Sequence, residues 1–295
     1  MLHLLAYCCW TLGVASDDWP QWGGPARTNV SKESAWKPEA KSAPLWKSQL
    51  GVGYSSVAVV GGRLYTLGYD KDVEQDVLYC LDALSGAEQW VHTYPAKLMD
   101  LYHGGGTLTT PTIDGEFVYV SEREGKLACL KAKSGDLVWE KDAAKEFELA
   151  LPQWGFAGSP VVLGNALILN YGTVFALDKQ KGTVLWKTKK NYGDAYSTPV
   201  DAQLGGQAAL VVFAGTGLVV LSAADGSELS FTEWKTQYDV NAMTPRLFGE
   251  RVFISSGYGH GCALLDLGAK QPKVVWENEV MKNQMSGAVP WKEQL

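Results

Sequence analysis

Hydrophobic and polar residues alternate in short runs along most of this chain, and turn residues interrupt the runs at regular intervals. Val77-Leu-Tyr-Cys-Leu-Asp82 and Thr173-Val-Phe-Ala-Leu-Asp178 are examples. Period-two runs of this length predict half-buried strands, and no long stretch carries helical spacing. Gly61-Gly62, Asp114-Gly115, Gly164-Asn165, Gly205-Gly206 and Gly249-Glu250 sit between paired runs. They are the dipeptides that primed hairpin turns use, or close to them.

A second turn follows each central run. It reads Asp82-Ala-Leu-Ser85-Gly86-Ala-Glu-Gln-Trp90, then Lys131-Ala-Lys-Ser134-Gly135-Asp-Leu-Val-Trp139, then Asp178-Lys-Gln-Lys-Gly182-Thr-Val-Leu-Trp186. Trp46, Trp90, Trp139, Trp186 and Trp276 fall 44, 49, 47 and 90 residues apart, a mean period of 46. In the longest gap Ser230 stands where a Trp is due, after Ser222-Ala-Ala-Asp225-Gly226. The fifth turn, between Asp266 and Trp276, is two residues longer and lacks the Ser-Gly. Thr110-Pro111, Ser159-Pro160, Thr198-Pro199 and Thr244-Pro245 open most units, where a proline costs no important ladder bond.

Four short antiparallel strands per unit make a propeller blade, which must stack on its neighbours to bury both faces. The predicted fold is all-β: a β-propeller of about five complete four-stranded blades with a truncated sixth, an open ring. Blades are expected at about 54–94, 108–143, 156–190, 195–234 and 241–279, with a partial unit at 283–295, so the propeller occupies 43–295. Trp46, Trp90, Trp139, Trp186 and Trp276 are expected between blades, filling the wedge that widens outward. Cys80 and Cys129 share a blade position with Ala176, Val220 and Leu264, a small buried apolar site. Packed sheets stand ~10 Å apart, so no Cys80–Cys129 disulfide is expected.

The unit Asp-x-x-[Ser/Thr]-Gly-x-x-x-Trp resembles the repeat of the pyrroloquinoline-quinone-type, or quinoprotein-like, β-propellers. Asp18-Trp-Pro-Gln-Trp-Gly-Gly-Pro-Ala-Arg27 also resembles the segment that precedes the blades in secreted bacterial members. The resemblance implies that 43–50, with Trp46, completes the last blade. It also implies a ring of seven or eight blades. The sixth unit, from Asn283-Gln-Met-Ser286-Gly287, stops within its second strand, so the natural protein is expected to continue.

Residues 1–16 carry no Lys, Arg, Asp or Glu and end in Val14-Ala15-Ser16, which predicts a signal peptide and a periplasmic or secreted protein. An N-terminal segment, 17–42, follows. The leader is too short to span a membrane, and no transmembrane segment is expected in the mature chain. The 295 residues are 46% hydrophobic and 20% charged, with 26 basic against 32 acidic side chains. This composition excludes a disordered chain, and the net charge of −6 argues against a nucleic-acid partner.

Catalytic signatures are sparse. The family's dehydrogenases are expected to carry a vicinal disulfide over the quinone and Glu/Asn/Asp around Ca²⁺. The adjacent cysteines here, Cys8-Cys9, lie in the leader, and no residue-by-residue match to the metal ligands is found. His103-Gly-Gly-Gly106 resembles a lipase oxyanion loop but has no G-x-S-x-G elbow to pair with. Asp70, Asp72, Glu74 and Asp76 read as a solvated loop, because the turn glycine of a Ca²⁺ loop is missing.

The loops between blades converge on one face. They supply His103, Gln153, Trp154, Tyr192, Asp194, Tyr196, Asp239 and Asn241, with Tyr258 and His260 from within the fifth blade. These ten are the candidate binding residues; no catalytic residue and no metal ligand is assigned. The reading they support is a non-catalytic propeller that binds a protein or envelope component, with no cofactor. The alternatives are a dehydrogenase using pyrroloquinoline quinone with Ca²⁺, and a carbohydrate-binding propeller.

Overall fold

A computed structural model describes residues 18–34, 43–268 and 271–289. The predicted leader, 1–16, and the end of the sixth unit lie outside the described residues. Twenty strands form five separate four-stranded sheets, each an antiparallel meander. The first blade holds Ala58–Val60, Arg63–Asp70, Gln75–Asp82 and Glu88–Pro95 (β1–β4). The second holds Thr112–Asp114, Phe117–Ser121, Lys126–Lys131 and Leu137–Asp142 (β5–β8). The third holds Val161–Leu163, Ala166–Tyr171, Thr173–Asp178 and Val184–Lys187 (β9–β12). The fourth holds Val200–Leu204, Gln207–Ala214, Gly217–Ser222 and Glu228–Glu233 (β13–β16). The fifth holds Arg246–Phe248, Arg251–Ser256, Gly261–Asp266 and Lys273–Asn278 (β17–β20). The chain is an all-β propeller of stacked blades.

The core lies between sheets. Buried clusters combine β1–β3 with β5–β7, then β6–β7 with β10–β11, β9–β11 with β14–β15, and β13–β15 with β18–β19. The middle strands of each blade are therefore apolar on both faces, while outer strands such as β4 alternate half-buried with exposed.

The tryptophan period has a structural cause. The Trp90 ring packs on the turn glycine of the next blade, where a Cβ on Gly135 would lie 2.7 Å from the ring. Its indole Nε1 donates to the Ala132 carbonyl of that same turn, at 3.1 Å. Trp139 repeats this on Gly182 and Lys179, and Trp186 on Gly226 and Ala223. Glycine is needed twice over, for a φ near +70° and for the absent side chain. Each Trp faces the shared small position across the sheet, Cys80↔Trp90 and Cys129↔Trp139, beside a bulge at the same register in every blade. A bulge twists the outer strand and re-aims its side chain. Cys80, Cys129 and Cys262 are free and buried.

Residues 43–50 form no strand of any described sheet, yet Trp46 docks on Gly86 and donates to the Ala83 carbonyl at 3.1 Å, as Trp90, Trp139 and Trp186 do on the turns of later blades. One local expectation is corrected. Asp76 is not solvated: it is the second residue of β3 and forms a buried ion pair with Arg123 at 3.3 Å, each side chain 1% exposed. Asp72 and Glu74 do stay at the surface.

Candidate functional site: the aromatic mouth

The innermost strands are knit together by the hydroxyls of the Ser/Thr-Pro steps. The Ser56 amide donates to Thr110 Oγ1, the Thr110 amide to Ser159 Oγ, and the Ser159 amide to Thr198 Oγ1, at 3.2, 3.0 and 3.0 Å. Successive blades are thereby fixed around the axis at one height. Each proline then removes a donor at the first residue before its inner strand, where the hydroxyl ladder has replaced sheet pairing.

The N-terminal segment touches all five blades. Trp19 pairs through its backbone with Val59 of β1, and the Pro20 carbonyl accepts from Ile113 of β5, at 2.8 Å. Arg27, its side chain 9% exposed, donates to the Val162 carbonyl of β9 and pairs with Asp201 of β13. Trp22 Nε1 donates to Thr244 Oγ1, just before β17, at 3.1 Å. Trp22 thereby becomes part of the lining of a cavity.

That lining encloses a cavity of about 390 Å³. Its aromatic wall consists of Trp22, Tyr54, His103, Trp154, Tyr196 and Tyr258, drawn from the lead-in segment, the first three connections between blades, and the first and fifth blades. The rings brace one another edge to face: Tyr54 on His103 at 5.5 Å, and Trp154 on Tyr196 at 5.7 Å. Tyr258 meets Tyr238 at 4.9 Å. Such contacts fix ring orientation before any ligand arrives. Ser159, Thr198, Thr244 and Gln284 add neutral polar atoms, and the described lining holds no Asp, Glu, Lys or Arg. The Tyr196 hydroxyl donates to Asp194, and burial raises its pKa, so it remains a neutral phenol.

The structure brings four of the ten candidates, His103, Trp154, Tyr196 and Tyr258, into this mouth. Asp194 supports it through Tyr196. Tyr192 is buried between the third and fourth blades, where its hydroxyl donates to Glu228 at 2.8 Å. Asn241 is buried and saturated: its Nδ2 donates to the Ala214, Gly215 and Trp234 carbonyls, and its Oδ1 accepts from Ser256. His260 stacks on Trp234 at 4.0 Å. Gln153 and Asp239 are exposed and outside the lining. The glycines after His103 serve the backbone, because a Cβ on Gly106 would lie 2.2 Å from the Val52 carbonyl. The sequence reading missed Trp22 and Tyr54; Trp22 stands in the lead-in motif that the resemblance had already marked.

Comparison with known proteins places this geometry. The family model described as "Outer membrane protein assembly factor BamB" matches residues 73–293. The quinoprotein alcohol dehydrogenase PedH of Pseudomonas putida is 34% identical over 120 residues, which are 40% of this chain and 16% of that protein. Among solved structures, the quinohemoprotein alcohol dehydrogenase of Comamonas testosteroni superposes with a TM-score of 0.65 at 14% identity. The match covers 90% of this chain and 49% of that one. BamB from Moraxella catarrhalis superposes with a TM-score of 0.53 at 15% identity, covering 77% and 76%. The chain thus spans about half or less of the two dehydrogenases. It belongs to the family of that assembly-factor model and is a quinoprotein-like β-propeller repeat protein.

Proposed function

We propose that this chain is an extracytoplasmic binding propeller, which receives a protein or cell-envelope partner at its aromatic mouth and carries out no chemistry there. The observation that carries this reading is the lining itself: six rings around an uncharged cavity. A rigid apolar pocket with a few neutral polar groups suits an inserted side chain or loop, whose burial supplies the affinity. The assembly-factor family and the propeller BamB support a protein partner and a location outside the cytoplasm. Among the described residues no helix is long and apolar enough to cross a membrane.

The second reading, a quinone-dependent dehydrogenase, is favoured by the PedH match. Pyrroloquinoline quinone is a polycarboxylate and its Ca²⁺ needs carboxylate or amide oxygens. The described mouth offers one amide, Gln284, and no charged side chain, so its residues do not fit that pair.

Photo-reactive residues at Tyr196 and Tyr258 test the binding reading against the same group at Leu84, an exposed residue on a blade turn. One partner crosslinked from both mouth positions and not from Leu84 is the expected result. Crosslinking from Leu84 alone, or from none of the three, contradicts it.

A further inference from the structure

A second cavity, of about 400 Å³, lies between the first and second blades. Its wall includes His92 and Tyr94 of β4, with Glu122 and Lys126 from the β6–β7 hairpin. Glu122 is 3% exposed, and neither of its carboxylate oxygens has a hydrogen-bond partner. The buried hydroxyl of Tyr94 has none either. An isolated carboxylate in such a place is costly, by several kcal/mol or more, unless it keeps a proton or meets a cation.

The charged donors in the cavity wall are already engaged, and the two free ones nearby, Arg123 Nε and Nη2, belong to a side chain outside the wall. Lys126 Nζ donates to the Pro95 carbonyl at 3.4 Å, and Lys141, also in the wall, pairs with Glu146. Arg123 does not line the cavity: its Nη1 is on Asp76, and its guanidinium lies 5.2 Å over the Tyr69 ring. Glu140 and Asp142 line the exposed side of the cavity; inside it, what remains uncommitted is acceptor capacity at Glu122, a hydroxyl at Tyr94, and an apolar strip made by Val120, Leu127 and Ala128. The matching ligand has a positively charged hydrogen-bond donor at the end of an aliphatic stem.

We propose that this inter-blade cavity binds a small organic cation, an alkylammonium or diamine, with its ammonium group on the Glu122 carboxylate and the Tyr94 hydroxyl. The stem lies along Val120 and Leu127, and the electron-rich ring face of Tyr94 favours the charge. In the empty cavity burial pushes Glu122 up to about 8, so the carboxyl is protonated at neutral pH. Binding therefore releases that proton to solvent: the Glu122 O–H bond breaks and a charge-assisted N–H···O bond replaces it. The charged and titratable groups around Glu122 are Asp76 from β3, Arg123, Glu124 and Lys126 from its own hairpin, His92 from β4, and Glu140, Lys141 and Asp142 from β8. Burial raises Asp76 to about 6 despite Arg123, so this pair titrates below Glu122.

Calorimetric titration of the chain with n-butylammonium and 1,4-diaminobutane tests the site, run in two buffers of different ionisation enthalpy. Saturable binding with proton release is expected near neutral pH, tightening as pH approaches about 8. Glu122→Gln should weaken binding by about tenfold or more, because a buried charge-assisted bond is lost. Tyr94→Phe should weaken it several-fold, and it serves as the test if Glu122→Gln does not fold. Absence of saturable binding by the unmodified chain overturns the proposal. So does unchanged affinity in a folded variant, or binding of Ca²⁺ in place of the ammonium probes.

Discussion

The second and third blades and the fourth and fifth blades are joined in different ways. At the former joint Trp139 seats on Gly182 of the next turn and donates to the Lys179 carbonyl at 3.0 Å. At the latter, Ser230 replaces the tryptophan and the facing turn has no Ser-Gly. The two losses occur together because the two residues form one contact: a ring needs a bare backbone to sit on, and without the ring the turn is free to lengthen. Trp234, four residues further along, takes over. It is 4% exposed, packs in the cluster between the fourth and fifth blades, and donates to Ser256 Oγ of β18 at 3.1 Å. A missing repeat residue here marks a rebuilt joint and not a weak one.

Removing the substitute should have the largest effect. Trp234→Ala is expected to destabilise the chain by roughly 3–5 kcal/mol in denaturant unfolding, as for a buried tryptophan. A loss below about 1 kcal/mol would mean that the fourth joint does not depend on it. Next comes a contrast between turns. Gly182→Ala places a Cβ 2.8 Å from the Trp139 ring at a φ of +67°, and should cost about 1–3 kcal/mol. Gly268→Ala, in the fifth blade's turn, meets only the side-chain ends of Glu250 and Asp266, and should stay within about 0.5 kcal/mol. Equal losses at the two positions would break the comparison.

The first joint adds a pH dependence. Glu122 is raised from 4.5 to about 8 by burial, so the folded chain binds the extra proton between those values. Its stabilising contribution is complete below about pH 4.5 and is lost as pH rises through about 8. Asp76 adds a similar decline that ends near pH 6. Thermal melting of Glu122→Gln should therefore show a flatter profile above pH 6, and an unchanged slope would contradict the assignment. The smallest effect is expected from Ser230→Trp. With no glycine seat opposite, the ring should gain no more than about 0.5 kcal/mol, and a gain of 2 kcal/mol would sink the pairing rule.

The blades were legible in the sequence because their signals are local. Gly86, Gly135, Gly182 and Gly226 each follow a strand within one turn, and each sits at positive φ. Their partners are not local: Trp90 meets Gly135 of the following unit, a relation that spacing alone does not reveal. The mouth was half legible for the same reason. Loop residues do not alternate as strand residues do, and positive φ at Tyr102, Asp239 and Tyr258 turns neighbouring side chains to different sides. Hence Tyr258 reaches the mouth while Asp239 does not, and Tyr192 and Tyr196, four residues apart, end in a blade joint and in the mouth. Trp22 was beyond reach, since its partner Thr244 is 222 residues away.

The most direct test of the mouth is a titration of the chain with pyrroloquinoline quinone and Ca²⁺, followed by tryptophan fluorescence. Trp22 and Trp154 line the cavity and would report any planar quinone bound there. The binding-propeller account predicts no saturable quenching by a chain shown to be folded by circular dichroism. Saturable quenching at micromolar quinone, lost in Trp154→Ala, would contradict it and assign the mouth to a quinone cofactor.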